Sequence, residues 1–255
     1  MRLKNEPSVR RAQSQDLLSR RSFLLGTGAV VLEAPLPLID PPLPERRRFL
    51  IPVMGDSVAE DLWFGLREAP PPRCLFIQKG KPSTGLTQPS FFDWPAKAQE
   101  LAQENWGAVI VLMGLNDNLP IRLDKKWTQV GEPTWRATYA ERAVNVMRPF
   151  LDQSVPVIWI GPPCVKSKTM DKGMFIIHQI LAEQVPAAGG IFISGRELTL
   201  GPDQEYIAGI KDQAGRFRQL RVSDGVHFTS DGNRFLAARV LEVLRATPAV
   251  APIFS

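Results

Sequence analysis

Six consecutive apolar residues, Ala108-Val109-Ile110-Val111-Leu112-Met113, constrain the fold more than any other stretch of the chain. They show no polar alternation, so a strand built from them has both faces buried. Such a strand belongs to a parallel sheet with helices on either side. The rest of the chain follows suit. Apolar runs at 49–54, Cys74–Ile77, Val155–Ile160 and Gly190–Ser194 read as further strands. Between them lie helical patterns: Val58, Leu62 and Leu66; Trp94, Ala98, Leu101 and Ala102 behind an Asp93 cap and Pro95; Thr134–Asp152; and Lys172–Gln184. A last helix is expected over Asp231–Arg245, with Leu236, Val240, Leu241 and Leu244 inward. The alternation predicts a three-layer α/β/α sandwich over residues 49–248, with a five-stranded parallel sheet in the flavodoxin-like order 2-1-3-4-5. Residues 125–135 are expected as a polar loop, 201–221 as an excursion or hairpin over the site, and 249–255 as a tail.

The formal charge of +5 does not indicate nucleic acid. Residues 1–48 hold 9 of the 31 Lys and Arg and 5 of the 26 Asp and Glu, leaving 22 against 21, or +1, for the remainder. The basicity therefore belongs to the N-terminal segment rather than to a folded face. Within it, Ser19-Arg20-Arg21-Ser22-Phe23-Leu24 precedes a short apolar run to Leu32, which resembles a twin-arginine export signal over residues 1–34. The run is too short for a membrane span. Pro35, Pro37, Pro41, Pro42 and Pro44 make 35–48 an extended linker. A periplasmic or otherwise exported protein is expected. Cys74 begins the second strand and Cys164 follows the fourth; those strands lie three spacings apart, roughly 14 Å, beyond the reach of a disulfide.

Polar residues gather where the strands end. Gly55-Asp56-Ser57 follows the first strand, Ser83-Thr84-Gly85 the second, and Gly114-Leu115-Asn116-Asp117 the third. Parallel strands deliver all three loops to one edge of the sheet, where open α/β sheets bind ligands. Ser57 stands at the start of a helix. It can act as a cap there, or as a nucleophile beside N–H groups that favour developing negative charge. Of the two histidines, His178 lies in an apolar helical pattern and reads as packed or surface-exposed. His227 lies in a glycine-containing loop, three residues after Asp224. Neither histidine has a second ligand at metal-site spacing, so no metal or other cofactor is expected.

Taken in order, the Gly-Asp-Ser, Gly-x-Asn-Asp and Asp-x-x-His blocks resemble the SGNH (GDSL-type) hydrolase family across the folded region. The flanking Ser83-Thr84-Gly85-Leu86, Phe92-Asp93-Trp94-Pro95 and Asp224–Thr229 are similar to an exported bacterial branch of it. The resemblance implies a catalytic triad of Ser57 as nucleophile, His227 as general base and Asp224 as the orienting acid. It implies an oxyanion hole from the N–H groups of Ser57 and Gly85 and the Asn116 side chain, with Gly80 the alternative to Gly85. Gly55 and Gly114 would allow tight turns, Asp56 would support the nucleophile turn, and Asp117 would brace the Asn116 loop. An oxyanion donor is worth about 10²–10³ in kcat, which sets the loss expected for Asn116→Ala. Free histidine titrates near 6.5, so activity is expected to fall below about that pH.

The expected function is a serine esterase removing O-acyl groups, O-acetyl foremost, from a cell-envelope or secreted polysaccharide such as a cellulose-like exopolysaccharide. One alternative is an O-acyltransferase using the same site. A second is a non-catalytic accessory subunit of an exopolysaccharide export complex. The expected partners are an acylated carbohydrate or other small ester and, beyond it, a membrane acyltransferase or export machinery. Trp63, Phe91, Phe92, Trp127 and Trp135 are candidates for stacking on sugar rings, or for packing.

Overall fold

A computed structural model describes residues 48–255. The export-signal segment and all of the linker but Arg48 lie outside the described residues. Phe49–Gly55 forms β1, and Ser57–Glu68 forms α1 directly after it. Gly55 makes this abrupt change of direction possible. Its φ is +134°, and a Cβ there would sit 1.7 Å from the Leu112 carbonyl oxygen. The parallel sheet is completed by β2 (Cys74–Gly80), β3 (Val109–Leu112), β6 (Val157–Ile160) and β7 (Ile191–Ile193). Their order is β2-β1-β3-β6-β7, with every neighbouring pair parallel. This is the expected 2-1-3-4-5 arrangement.

All four residues of β3 are fully buried, as their uninterrupted apolar character requires. Each such side chain contributes about 1.5–3 kcal/mol over its exposed state. The helices α1, α2 (Trp94–Leu101), α3 (Pro133–Leu151), α4 (Lys168–Ala187) and α6 (Ser230–Ala246) cover the sheet. The chain steps outward from β1 to β2, then back past β1 to β3. Right-handed crossovers therefore place α1 and α2 on opposite faces. α1 packs on α6, while α2 packs on α3 and α3 on α4. The reversal leaves a crevice at the carboxyl ends of β1 and β3.

Several expectations need correction. The segment expected as a polar loop supplies β5 (Lys126–Thr128), which forms an antiparallel hairpin with β4 (Ile121–Leu123) just before it, and its last residues already belong to α3. The hairpin turn is made by Asp124 at φ +54°, a conformation Asp tolerates. Within 201–221 the chain does form a hairpin, as expected, β8 (Gly209–Lys211) with β9 (Phe217–Gln219), and it packs against α6. A short helix, α5 (Gly195–Thr199), follows β7. Residues expected as a tail include α7 (Ala251–Phe254), with Val250 and Phe254 fully buried. Trp135 is buried rather than available to a ligand. It lies flat on Tyr139, one helical turn on, with ring centroids 5.0 Å apart. Cys74 and Cys164 are buried and free, and burial pushes both thiols up to about 11. No helix among the described residues is long and apolar enough to cross a membrane.

Candidate active site

Ser57 is the first residue of α1, and Asp56 is its N-cap. The capping role weighed for this pair falls to Asp56, whose Oδ1 accepts from the Val58 N–H at 3.0 Å. The Ser57 hydroxyl is left for other work. Its Oγ lies 2.7 Å from His227 Nε2, and His227 Nδ1 lies 2.7 Å from Asp224 Oδ2. Asp224 Oδ1 accepts the backbone N–H groups of Val226 at 2.8 Å and His227 at 3.0 Å. Burial opposes ionisation of Asp224, but the bonds from the imidazole and the two N–H groups outweigh it and hold the carboxyl below its ordinary value. An ionised carboxylate only accepts, so Nδ1 carries the imidazole proton and Nε2 is left to accept from the serine hydroxyl. A hydroxyl, imidazole and carboxylate in this sequence form a proton-abstracting unit.

Residues 57 and 227 meet because their helices do. Thr229 caps α6 by accepting from Gly232, and the Thr229 N–H donates to the Leu220 carbonyl. The loop bearing His227 therefore emerges between β9 and α6, beside α1. Two side chains that the sequence reading missed secure it. Asp61, one turn beyond Ser57, accepts from the Phe228 N–H at 3.0 Å, and burial raises its carboxyl. Arg221 is almost fully buried and donates to the carbonyls of Val226 at 2.6 Å and Cys164 at 2.9 Å. Its guanidinium lies 3.7 Å from the centre of the Phe228 ring, and burial pulls it down to about 10. The spacing Ser57–Asp61 offered a faint helical signal for the first. Nothing near Arg221 in sequence announces the second.

The other strand-end loops join through buried carboxylates. Asp56 Oδ2 accepts the N–H groups of Gly114 at 3.1 Å and Leu115 at 3.0 Å, linking the serine turn to the loop of Asn116. Gly114 makes that turn at φ +132°. Asp56 is wholly buried, and desolvation pushes its carboxyl up to about 7. Asn116 Nδ2 donates to the Thr84 carbonyl at 3.0 Å, which fixes the peptide plane that carries the Gly85 N–H. Asp117 is also fully buried and raised by desolvation. It accepts from the Thr87 N–H, the Thr87 hydroxyl and the Tyr139 hydroxyl. These bonds tie the end of the Asn116 loop to Thr87 and to α3. A Cβ on residue 85 would lie 2.2 Å from Asp117 Oδ1, so only glycine fits there. Gly80, the alternative, stands at the end of the β1–β2 ladder opposite Gly55, where a Cβ would meet Glu60 and the Asp56 carbonyl. Gly85 is therefore the glycine that adjoins the Asn116 loop.

Thr84 is itself held. Its hydroxyl accepts from Trp94 Nε1 and donates to the Lys81 carbonyl. Trp63 donates to the Phe76 carbonyl and Phe92 packs edge-on to Trp94, so both serve the packing, whereas Phe91 and Trp127 are exposed. His178 lies between Phe175 and Phe192, remote in sequence and contacts from the triad. No group of three or more His, Cys, Asp or Glu among the described residues could hold a metal ion.

Comparison with known proteins places this geometry. The sequence model of the family described as "Protein of unknown function (DUF459)" matches residues 50–243. Among solved structures, a member of the lipolytic protein G-D-S-L family from Veillonella parvula superposes with a TM-score of 0.55 at 16% identity, covering 78% of this chain and 99% of its own. An alpha/beta hydrolase enzyme from the metagenome of Lake Arreo gives 0.56 at 14%, covering 82% and 98%. An acetylxylan esterase from Geobacillus stearothermophilus gives 0.52 at 14%, covering 77% and 94%. At these identities the likeness establishes the fold, which is that of the SGNH hydrolases. No curated protein matches the chain.

Proposed function

Since this chain belongs to the DUF459 family and has the SGNH hydrolase fold, we propose that it is a serine esterase that removes O-acyl groups, O-acetyl foremost, from a cell-envelope or secreted polysaccharide. One observation carries the reading: two 2.7 Å bonds in series link the Ser57 hydroxyl, the His227 imidazole and the Asp224 carboxylate.

In this mechanism Ser57 Oγ attacks the ester carbonyl carbon while Nε2 of His227 takes the hydroxyl proton. The carbonyl oxygen becomes an oxyanion facing the N–H groups of Ser57 and Gly85 and the second amide hydrogen of Asn116. The C–O bond to the sugar then breaks, and His227 returns the proton to the departing sugar oxygen. Water attacks the acyl-enzyme by the same route and releases the carboxylic acid. Asp224 keeps its charge throughout and steadies the imidazolium.

The substrate class rests on other grounds. The twin-arginine-like segment 1–34 suits an exported protein, and one structural neighbour is an acetylxylan esterase. The exposure of the triad favours hydrolysis over transfer. The His227 and Asp224 side chains are 39% and 45% exposed, so water has ready access to an acyl-enzyme. The test is p-nitrophenyl acetate hydrolysis by the full chain beside Ser57→Ala and His227→Ala, followed by acetylated glycans. The reading expects turnover in the wild type and a loss of at least about 10³-fold in both variants. Turnover surviving in Ser57→Ala would overturn it. Acetyl transfer to an added sugar in preference to water would move the reaction to the transferase class.

A further inference from the structure

The loops that carry Gly85 and Asn116 run on into a cleft of about 570 Å³ that none of the proposed chemistry uses. Thr87, on one side, is two residues from Gly85, about 7 Å of chain. The other side is the β4–β5 hairpin, which contributes Arg122, Asp124 and Trp127. Arg142 reaches the cleft from α3, anchored by the carbonyls of Leu86 and Thr87.

Two features mark the cleft as built for a ligand of particular chemistry. The indole of Trp127 is 62% exposed, unlike Trp94, Trp106, Trp135 and Trp159, which are all buried. Arg122 sits opposite it in the hairpin register, with its guanidinium 6.0 Å from the ring centroid. A planar cation is thus held beside an open aromatic face. Moreover, neither Arg122 nor Arg142 forms an ion pair among the described residues. Among the residues lining the cleft, Asp124 carries the one carboxylate against two guanidinium groups.

We propose that this cleft is a subsite for an acidic sugar, a uronate residue of the polymer whose acyl group is removed at Ser57. Trp127 stacks on the pyranose ring, the Arg122 fork receives the uronate carboxylate, and Asp124 accepts sugar hydroxyls. The proposal rests on the esterase reading for its polymer and narrows that polymer to one bearing carboxylates.

Calorimetric titration of the full chain carrying Ser57→Ala, with hexagalacturonate and with cellohexaose, tests it without turnover. Hexagalacturonate is expected to bind at least ten-fold more tightly, and the difference to shrink with added salt. Trp127→Ala in that background should weaken both oligomers. Arg122→Gln should abolish the preference for the acidic one, and Arg122→Lys should restore only part of it. Both positions are exposed, and circular dichroism of each variant verifies the fold. Equal affinity for the two oligomers, no binding, or a preference that survives Arg122→Gln would overturn the subsite. The esterase reading is scored separately on p-nitrophenyl acetate. Binding without turnover in the wild type would leave the subsite and sink the esterase; turnover without oligomer binding would do the reverse.

Discussion

Asp56 has no contact with solvent and yet accepts three backbone N–H bonds, from Val58, Gly114 and Leu115. Desolvation lifts its carboxyl from 3.8 to about 7. A carboxyl raised on folding binds its proton more tightly in the native state, so its contribution is complete below about pH 4 and is lost as the pH climbs through 7. Asp56→Asn cannot titrate. The stability of the wild type relative to this variant should therefore fall by about 2–3 kcal/mol between pH 5 and pH 8, as read from urea midpoints at the two pH values. A constant difference would mean that Asp56 titrates normally. Arg221 poses the complementary case, a buried cation whose bonds go to carbonyls. It positions the His227 loop without touching the reacting atoms. Arg221→Met leaves two carbonyls without their donor, at roughly 1–3 kcal/mol each. Its kcat should fall with little change in KM, and Arg221→Lys should recover part of the loss. A shift confined to KM would remove the positioning role.

Among the elements, the contact that joins the two halves of the triad is α1 against α6. A Cβ on Gly65 would lie 2.0 Å from the Asn233 carbonyl oxygen and 2.8 Å from the Ala237 Cβ. Gly65→Ala must push the helices apart, moving Ser57 away from His227. The expected result is at least a ten-fold loss of kcat in a protein with unchanged helical circular dichroism. Full activity would show that the triad does not depend on this approach. The two helices were readable from sequence because their apolar positions recur at helical spacing, as in Val58, Leu62 and Leu66. Strands β3 and β6 were readable for the opposite reason, since burial on both faces leaves no polar interruption. The hairpin of β4 and β5 was hidden. Each strand has three residues, they pair only with each other, and Lys125 and Lys126 stand at the turn. Polar neighbours likewise disguised Trp135, which stacks on Tyr139 and donates its indole N–H to the Leu119 carbonyl.

On the scale of the whole molecule, the strand order brought Ser57, Asn116 and Gly85 to one crevice, and that much followed from the alternation of strands and helices. The partners that hold them there did not. Asp61 answers to Phe228 and Arg221 to Cys164, contacts between residues 167 and 57 positions apart, and no local pattern encodes them. The C-terminal end was also understated. Phe254 is fully buried, and its carbonyl accepts from Arg245 Nε. Phe254→Ala should lower stability by about 3–5 kcal/mol, measured by denaturant unfolding, while the activity of the remaining folded protein stays near wild type. The central claim is that Ser57 is a nucleophile made reactive by His227. Labelling of the full chain with a fluorophosphonate, followed by peptide mapping, tests it most directly. The account predicts a label on Ser57 in the wild type and little or none in His227→Ala. An unlabelled Ser57 in the wild type, or equal labelling in the variant, would contradict it.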